Sequence, residues 1–282
     1  MPKKGHSTAR ARSLGAELKE LRAGTKLSTR AVAHRLGWSA STLNRIETGL
    51  RPVKSEDIAA LLVIYNVTGT ERDRLLELAR EANQPGWWET ARPDLPSQLT
   101  GLIGFESQAT HITNVASVLI PGLLQTPEYA RAVMASSGIT TPSAETRVAT
   151  RMGRQVILSR PEPPELLAIV DEAALRRPMG GPRVMADQLR NIVRTCERPN
   201  VSVRVIPFEH GGHVGLNGPY VILQFAKAGT IVHMEHLRSG VFVDKPEDVA
   251  PFLAATDTLR EAALDPAASE KFILAVADEY DR

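Results

Sequence analysis

The chain is poor in cysteine. Cys196 stands alone among 282 residues, so no internal disulfide can form, which fits a reducing compartment. Long apolar runs are also missing, and nothing approaches the roughly 20 residues that a membrane helix needs. The N-terminus is basic but lacks the apolar core of a secretory signal, so a cytoplasmic location without membrane contact is expected. Gly-rich phosphate loops, a nucleophile elbow and spaced metal motifs do not occur. Neither an enzyme nor a cofactor is therefore expected. Internal repeats and low-complexity tracts are absent as well. What remains is an ordinary globular composition, 43% hydrophobic and 23% charged, over a length that holds one or two domains with their own cores.

Charge is spread unevenly. Residues 1–54 contain 12 Lys or Arg (3, 4, 10, 12, 19, 22, 26, 30, 35, 45, 51 and 54) and 3 acids (17, 20 and 47), a local net charge of +9. The whole chain is +2, so the remainder carries −7. This asymmetry points to a polyanion partner for the N-terminal part, with phosphate contacts supplying affinity but no sequence choice.

Within the basic part, residues 27–51 read LSTRAVAHRLGWSASTLNRIETGLR. Ser28 can cap a short helix whose Ala31, Val32 and Leu36 fall at helical spacing. Gly37 permits a tight turn. Ser39 caps a second helix that runs to about Thr48 and is ended by Gly49. On that helix Leu43 and Ile46 share one side, while Ser41, Asn44, Arg45 and Thr48 share the other. The outer side is small, polar and basic, which suits a major groove, where Asn pairs with adenine and Arg with guanine. Taken alone, it equally suits a solvated face of an ordinary bundle. Leu14, Leu18 and Leu21 predict a helix before this pair, Ile58, Leu61, Leu62 and Tyr65 one after it, and Leu75, Leu76, Leu78 and Ala79 another opening at Thr70. Residues 1–13 read as a loose basic arm.

LGAELKELR followed by LSTRAVAHRLGWSASTLNRIETG resembles the Xre-type helix-turn-helix of bacterial repressors. The resemblance implies an all-α, five-helix, lambda-repressor-like domain over 14–84 that binds double-stranded DNA with helix 39–48 as reader. Its base-reading candidates are Ala40, Ser41, Asn44, Arg45 and Thr48. Its phosphate-binding candidates are Thr29, Arg30, Arg35, Ser39, Arg51 and Lys54. The family often carries Gln at the first turn of both helices, where this chain has Thr29 and Ala40. Ala40 can make only apolar base contact, for example with a thymine methyl.

Residues 85–97 are Pro-rich and read as a linker, with Trp87 and Trp88 either wedged between domains or free to stack on a ligand. From 98 to 282 the pattern is a larger α+β domain. It includes strands at 111–119, 166–170, 201–205, 220–225, 230–235 and 241–243, and helices at 99–109, from Pro127, at 143–159, 182–197, 246–263 and 266–280. VLIPGLLQTPEYARAV, RQVILSRPEPPELLAIVDEAALRRP and ERPNVSVRVIPF resemble the C-terminal domain of a large group of actinobacterial Xre regulators, described as antitoxin-like and of uncharacterised function. That resemblance implies a transcription regulator acting as a homodimer. It also implies a small partner protein encoded nearby but supplies no ligand, and the C-terminal domain is expected to bind that partner or a small-molecule ligand.

Three further features have two readings each. Arg147, Arg151 and Arg154 form a row for an acidic partner, or a solvated face with Glu145 as local ion-pair partner. His210, His213, His233 and His236 include imidazoles that zinc or iron accepts, yet His233 and His236 on one strand would face opposite ways. Asp171 and Glu172 could do acid–base work or cap the turn 173–177. Cys196 sits in a predicted helix, as a small buried hydrophobe and not a reactive thiol.

Overall fold

The computed structural model describes residues 9–51, 53–82, 97–139, 141–235 and 240–282. The first eight residues of the arm, most of the linker with Trp87 and Trp88, and His236 lie outside them. Two compact units are formed, one by Met1–Gln108 with Phe225–Gly229, the other by Ala109–Gln224 with Thr230–Arg282.

The first unit opens with five helices: α1 (Ala9–Gly24), α2 (Thr29–Arg35), α3 (Ala40–Glu47), α4 (Ser55–Ile64) and α5 (Gly69–Ala82). Helix α6 (Ser97–Glu106) also belongs to this unit. The N-terminal core is built from the leucines and branched residues that the periodicity selects, among them Leu14, Leu18, Val32, Leu43, Ile46, Ile58, Leu61, Leu62 and Leu75. Helix α1 begins five residues before Leu14, at Ala9. The extension has a packing reason, because the Ala11 and Arg12 backbone lies against Gly49. Helix α5 starts at Gly69, so Thr70 lies inside it.

The second unit is organised by a six-stranded mixed sheet in the order β3-β2-β1-β4-β5-β6. Its strands are β1 (His111–Ala116), β2 (Glu165–Asp171), β3 (Val201–Ile206), β4 (Tyr220–Gln224), β5 (Ile231–Glu235) and β6 (Gly240–Val243). The pairs β1–β2 and β2–β3 are parallel, and the other three are antiparallel. Strand β2 is central in the parallel half, so Ala168, Ile169 and Val170 are all buried and its apolar run is continuous. Strand β1 ends at Ala116, three residues short of expectation, and Val118 and Leu119 lie exposed in the following bend.

The parallel connections carry helices, as the geometry of such crossovers demands. Between β1 and β2 lie α7 (Pro127–Ser136) and α8 (Thr141–Gln155), which pack together through Ala130, Met134 and Val148. Between β2 and β3 lie the short α9 (Glu172–Arg176) and α10 (Pro182–Cys196). Met185, Ala186, Gln188, Leu189 and Ile192 form the inner stripe of α10. The buried Gln188 amide is bonded at both ends. Its Oε1 accepts from Thr126 N (2.7 Å) and its Nε2 donates to Leu124 O (2.8 Å). Helices α11 (Pro246–Ala262) and α12 (Pro266–Tyr280) follow β6. Val249 and Leu259 of α11 join Val115, Ile169, Ile206, Tyr220, Ile222 and Val232 in one core cluster.

Candidate DNA-reading surface

Ser28 and Ser39 cap the two helices of the motif, accepting from Ala31 N (3.2 Å) and Thr42 N (3.0 Å). Ser39 Oγ also meets Thr42 Oγ1 at 2.9 Å. The turn between them needs Gly37, which has φ +66, and α3 stops at Gly49, with φ +67. Both glycines take left-handed conformations that a side chain would strain.

Helix α3 is two-faced. Leu43, Ile46 and Glu47 are buried, whereas Ser41, Asn44, Arg45 and Thr48 are exposed. Ala40 is half-buried at the first turn. Of the phosphate-binding candidates, Arg30, Arg35, Ser39, Arg51 and Lys54 are exposed and Thr29 is half-buried. All of these candidates, base-reading and phosphate-binding, lie on the two helices of the motif or in the segments next to them. Besides the capping Ser39, two of the candidates already have local bonds. Thr48 Oγ1 donates to Asn44 O (2.8 Å), and Arg45 donates to Leu50 O (3.4 Å).

The support beneath α3 is less visible in the sequence. Glu47 is turned inward, and Arg22 of α1 grips it with Nε to Oε1 at 2.6 Å and the second guanidinium nitrogen to Oε2 at 3.0 Å. The remaining nitrogen of Arg22 donates to Leu27 O (3.1 Å), tying the loop before α2 into the same clamp. The hydrogen bond to Glu47 raises the guanidinium pKa above its already high value, so this charge is permanent. A fork-to-carboxylate bond of this kind fixes orientation as well as distance. Glu47 is therefore not the partner of Arg45. The only sequence signal for the clamp was an acid on the apolar side of α3. Gly15 adds a steric constraint. A β-carbon there would lie 2.6 Å from both Ile46 O and Glu47 O, so α1 and the end of α3 touch through backbone.

In the second unit the arginine row takes a third course. Arg151 donates to Gln125 Oε1 (2.8 Å), Arg154 is buried, and both border Gly122 in the turn Gly122–Leu124. Glu145 pairs instead with Arg131 of α7 (2.8 Å). The row is thus partly internal scaffolding and not a plain solvated face. Asp171 Oδ1 caps α9 by accepting from Ala173 N (2.7 Å), and its Oδ2 faces His213 Nε2 at 2.9 Å. His210 is exposed, with its ring 6.3 Å from that of His213. Among the described residues no group of three His, Cys, Asp or Glu is arranged to hold a metal ion, and no helix is long and apolar enough to cross a membrane.

A capped two-helix motif within a five-helix core, with a polar outer face on its second helix, defines a helix-turn-helix domain of the DNA-binding class. A helix-turn-helix domain model matches residues 13–75. The chain belongs to the family described as a domain of unknown function (DUF5753), whose model matches residues 99–275. Among curated proteins and among solved structures nothing matches.

Proposed function

We propose that the protein is a sequence-specific DNA-binding transcription regulator of the cytoplasm that reads the major groove with α3. The observation that carries this reading is the outer face of α3. Ser41, Asn44, Arg45 and Thr48 stand exposed on a helix whose inner face is fixed by apolar packing and by the Arg22 clamp. Arg30, Arg35, Arg51 and Lys54 are exposed on or beside the same motif and supply charge for the phosphates. The protein acts as a symmetric homodimer, so that two reader helices meet half-sites about 34–36 Å apart. The C-terminal domain is not catalytic and binds a ligand or a small partner protein.

Mapping bound sites across the genome, followed by titration of a recovered site, tests the reading. Asn44→Ala is expected to relax base preference at one position by about 1–3 kcal/mol. Arg45→Ala is expected to weaken binding to that site. Unchanged affinity in both folded variants, or binding that never prefers one fragment over another, would refute it. Sedimentation as a monomer at micromolar concentration would refute the dimer.

A further inference from the structure

The C-terminal domain holds a cavity of about 290 Å³ that the DNA reading does not use. Tyr220 at the start of β4, Met234 of β5, and Pro251, Phe252 and Ala255 of α11 form its walls, and Val214 closes one side. Among the described residues none of the lining side chains is charged. Tyr220 and Phe252 meet edge to face, with centroids 5.2 Å apart. The Tyr220 hydroxyl is committed to Thr256 Oγ1 (3.0 Å), which itself donates to Phe252 O (2.8 Å). One polar group remains at the rim. Asn217 donates its amide to Val214 O (3.1 Å), which leaves its Oδ1 as an acceptor.

A space lined by carbon and open to water closes unless its walls are held, because protein interiors pack densely. Here they are held. The wall turn Val214–Asn217 follows His213, whose Nε2 donates to Asp171 Oδ2 at the end of β2. Both side chains of that pair are more than nine-tenths buried. A β-carbon at Gly215 would sit 3.0 Å from His213 Nδ1 and 3.4 Å from Leu259, so the turn lies flat against the imidazole and α11. Gly218, at φ +132, then returns the chain into β4. On the other wall Pro251 lies inside α11 and forgoes a helical hydrogen bond. A buried polar pair is a poor source of net stability, and this one serves to anchor an otherwise apolar wall.

We propose that this cavity binds a compact, uncharged, mostly apolar small molecule that offers one hydrogen-bond donor to Asn217. A charged ligand would lose its hydration and meet no counter-charge. The volume lies at the small end of ligand pockets, which span about 300–1,000 Å³, so it suits a single fused ring or a short chain. The proposal deepens the reading of the C-terminal domain as ligand-binding, and its test is independent of DNA.

The test uses the full chain with 13C-labelled methionine methyls and three probes: indole, 1-hexanol and hexanoate. Indole and hexanol are expected to shift the Met234 methyl saturably, with hexanoate at least tenfold weaker than its alcohol. Ala255→Phe, which fills the cavity, should weaken indole binding at least tenfold. Ala254→Leu, on the exposed side of the same helix, should leave it unchanged. The proposal is overturned if neither neutral probe shifts Met234, if hexanoate binds as well as hexanol, or if folded Ala255→Phe binds like the wild type. Operator titration with and without indole separates the two ideas. Probe binding that leaves DNA affinity unchanged shows that this ligand does not control DNA binding and keeps the cavity, whereas a chain that never prefers one DNA fragment over another removes the DNA reading alone.

Discussion

Gly15 and Gly24 lie on the same helix, and the same substitution at each should act with opposite sign. Alanine in place of an interior helical glycine gains about 1 kcal/mol from propensity. At Gly24 nothing lies within 4 Å of the added carbon, so most of that gain should survive, reduced because Gly24 is the last residue of α1. At Gly15 the added carbon lies 2.6 Å from two carbonyl oxygens of α3, whereas ordinary contact begins near 3.4 Å. The two helices must part by 3.4 − 2.6, or about 0.8 Å. The obstruction is backbone and cannot swing aside, so the overpacking cost should sit at or above the usual range of about 1–3 kcal/mol. Propensity offsets only part of this. Gly15→Ala is therefore expected to destabilise the first unit by about 1–2 kcal/mol, and to displace the end of α3 that carries Thr48. Hydrogen-exchange mass spectrometry of the full chain can localise the loss to peptides of α1 and α3, and urea titration gives its size. Operator affinity should fall in Gly15→Ala and stay constant in Gly24→Ala. If Gly15→Ala exchanges no faster than the wild type in α3 and binds the operator equally well, the close approach of α1 to α3 does not constrain the reader.

Other consequences can be measured separately. Glu47→Gln removes the charge that Arg22 grips and should lower operator affinity without touching any exposed side chain of α3, and an unchanged affinity would show that the clamp does not position the helix. His213→Ala removes one of the two hydrogen bonds that the buried Asp171 carboxylate accepts and should cost about 1–3 kcal/mol, read as faster exchange over residues 213–219 and an earlier unfolding transition, and unchanged exchange there would refute the anchoring role. Burial pushes the Cys196 thiol up to about 11, so alkylation at pH 8 should run on the order of a hundredfold slower than for a free cysteine and climb with pH up to that value. The Glu279 carboxyl is held below its ordinary range chiefly by the hydrogen bond from Arg176 (2.6 Å). Because the folded value is the lower one, the stabilisation is complete above the unfolded carboxyl pKa and is lost as pH falls through the folded value. Arg176→Ala should return Glu279 upward in an NMR titration.

The two-helix motif was legible because each of its parts is local. A cap, a left-handed glycine and a 3.6-residue stripe all lie within 23 residues of one another, from Ser28 to Leu50, and each has one physical cause. Most strand centres were legible for the same reason, since Leu166–Val170 and the alternation at 201–205 announce themselves. Strand order was not, because nothing local says that β4 pairs with β1 or that β1 and β2 run parallel. The arginine row shows the same limit. Spacing placed Arg147, Arg151 and Arg154 on one side of a helix, but only the tertiary fold brings Gln125 and Gly122 against that side.

The supports of function are harder to read than its surface, and the reason is physical. A surface that meets an outside partner must be exposed, so its residues follow one helical period and one charge sign. A support joins residues that are distant in sequence, as Arg22 does with Glu47 and Asp171 with His213. Each member then looks out of place on its own, an acid on an apolar stripe or a histidine in a Gly-rich loop. Such misfits mark where a buried polar group has been given a partner, since an unpaired charge in those positions would cost more than the fold can bear. Glu47 could have been suspected on that ground, because it falls beside Ile46 on the inner side of α3 and the basic first 54 residues hold only two other acids, Glu17 and Glu20. His213 could not, because its partner stands 42 residues earlier at the end of a strand whose neighbours only the fold supplies.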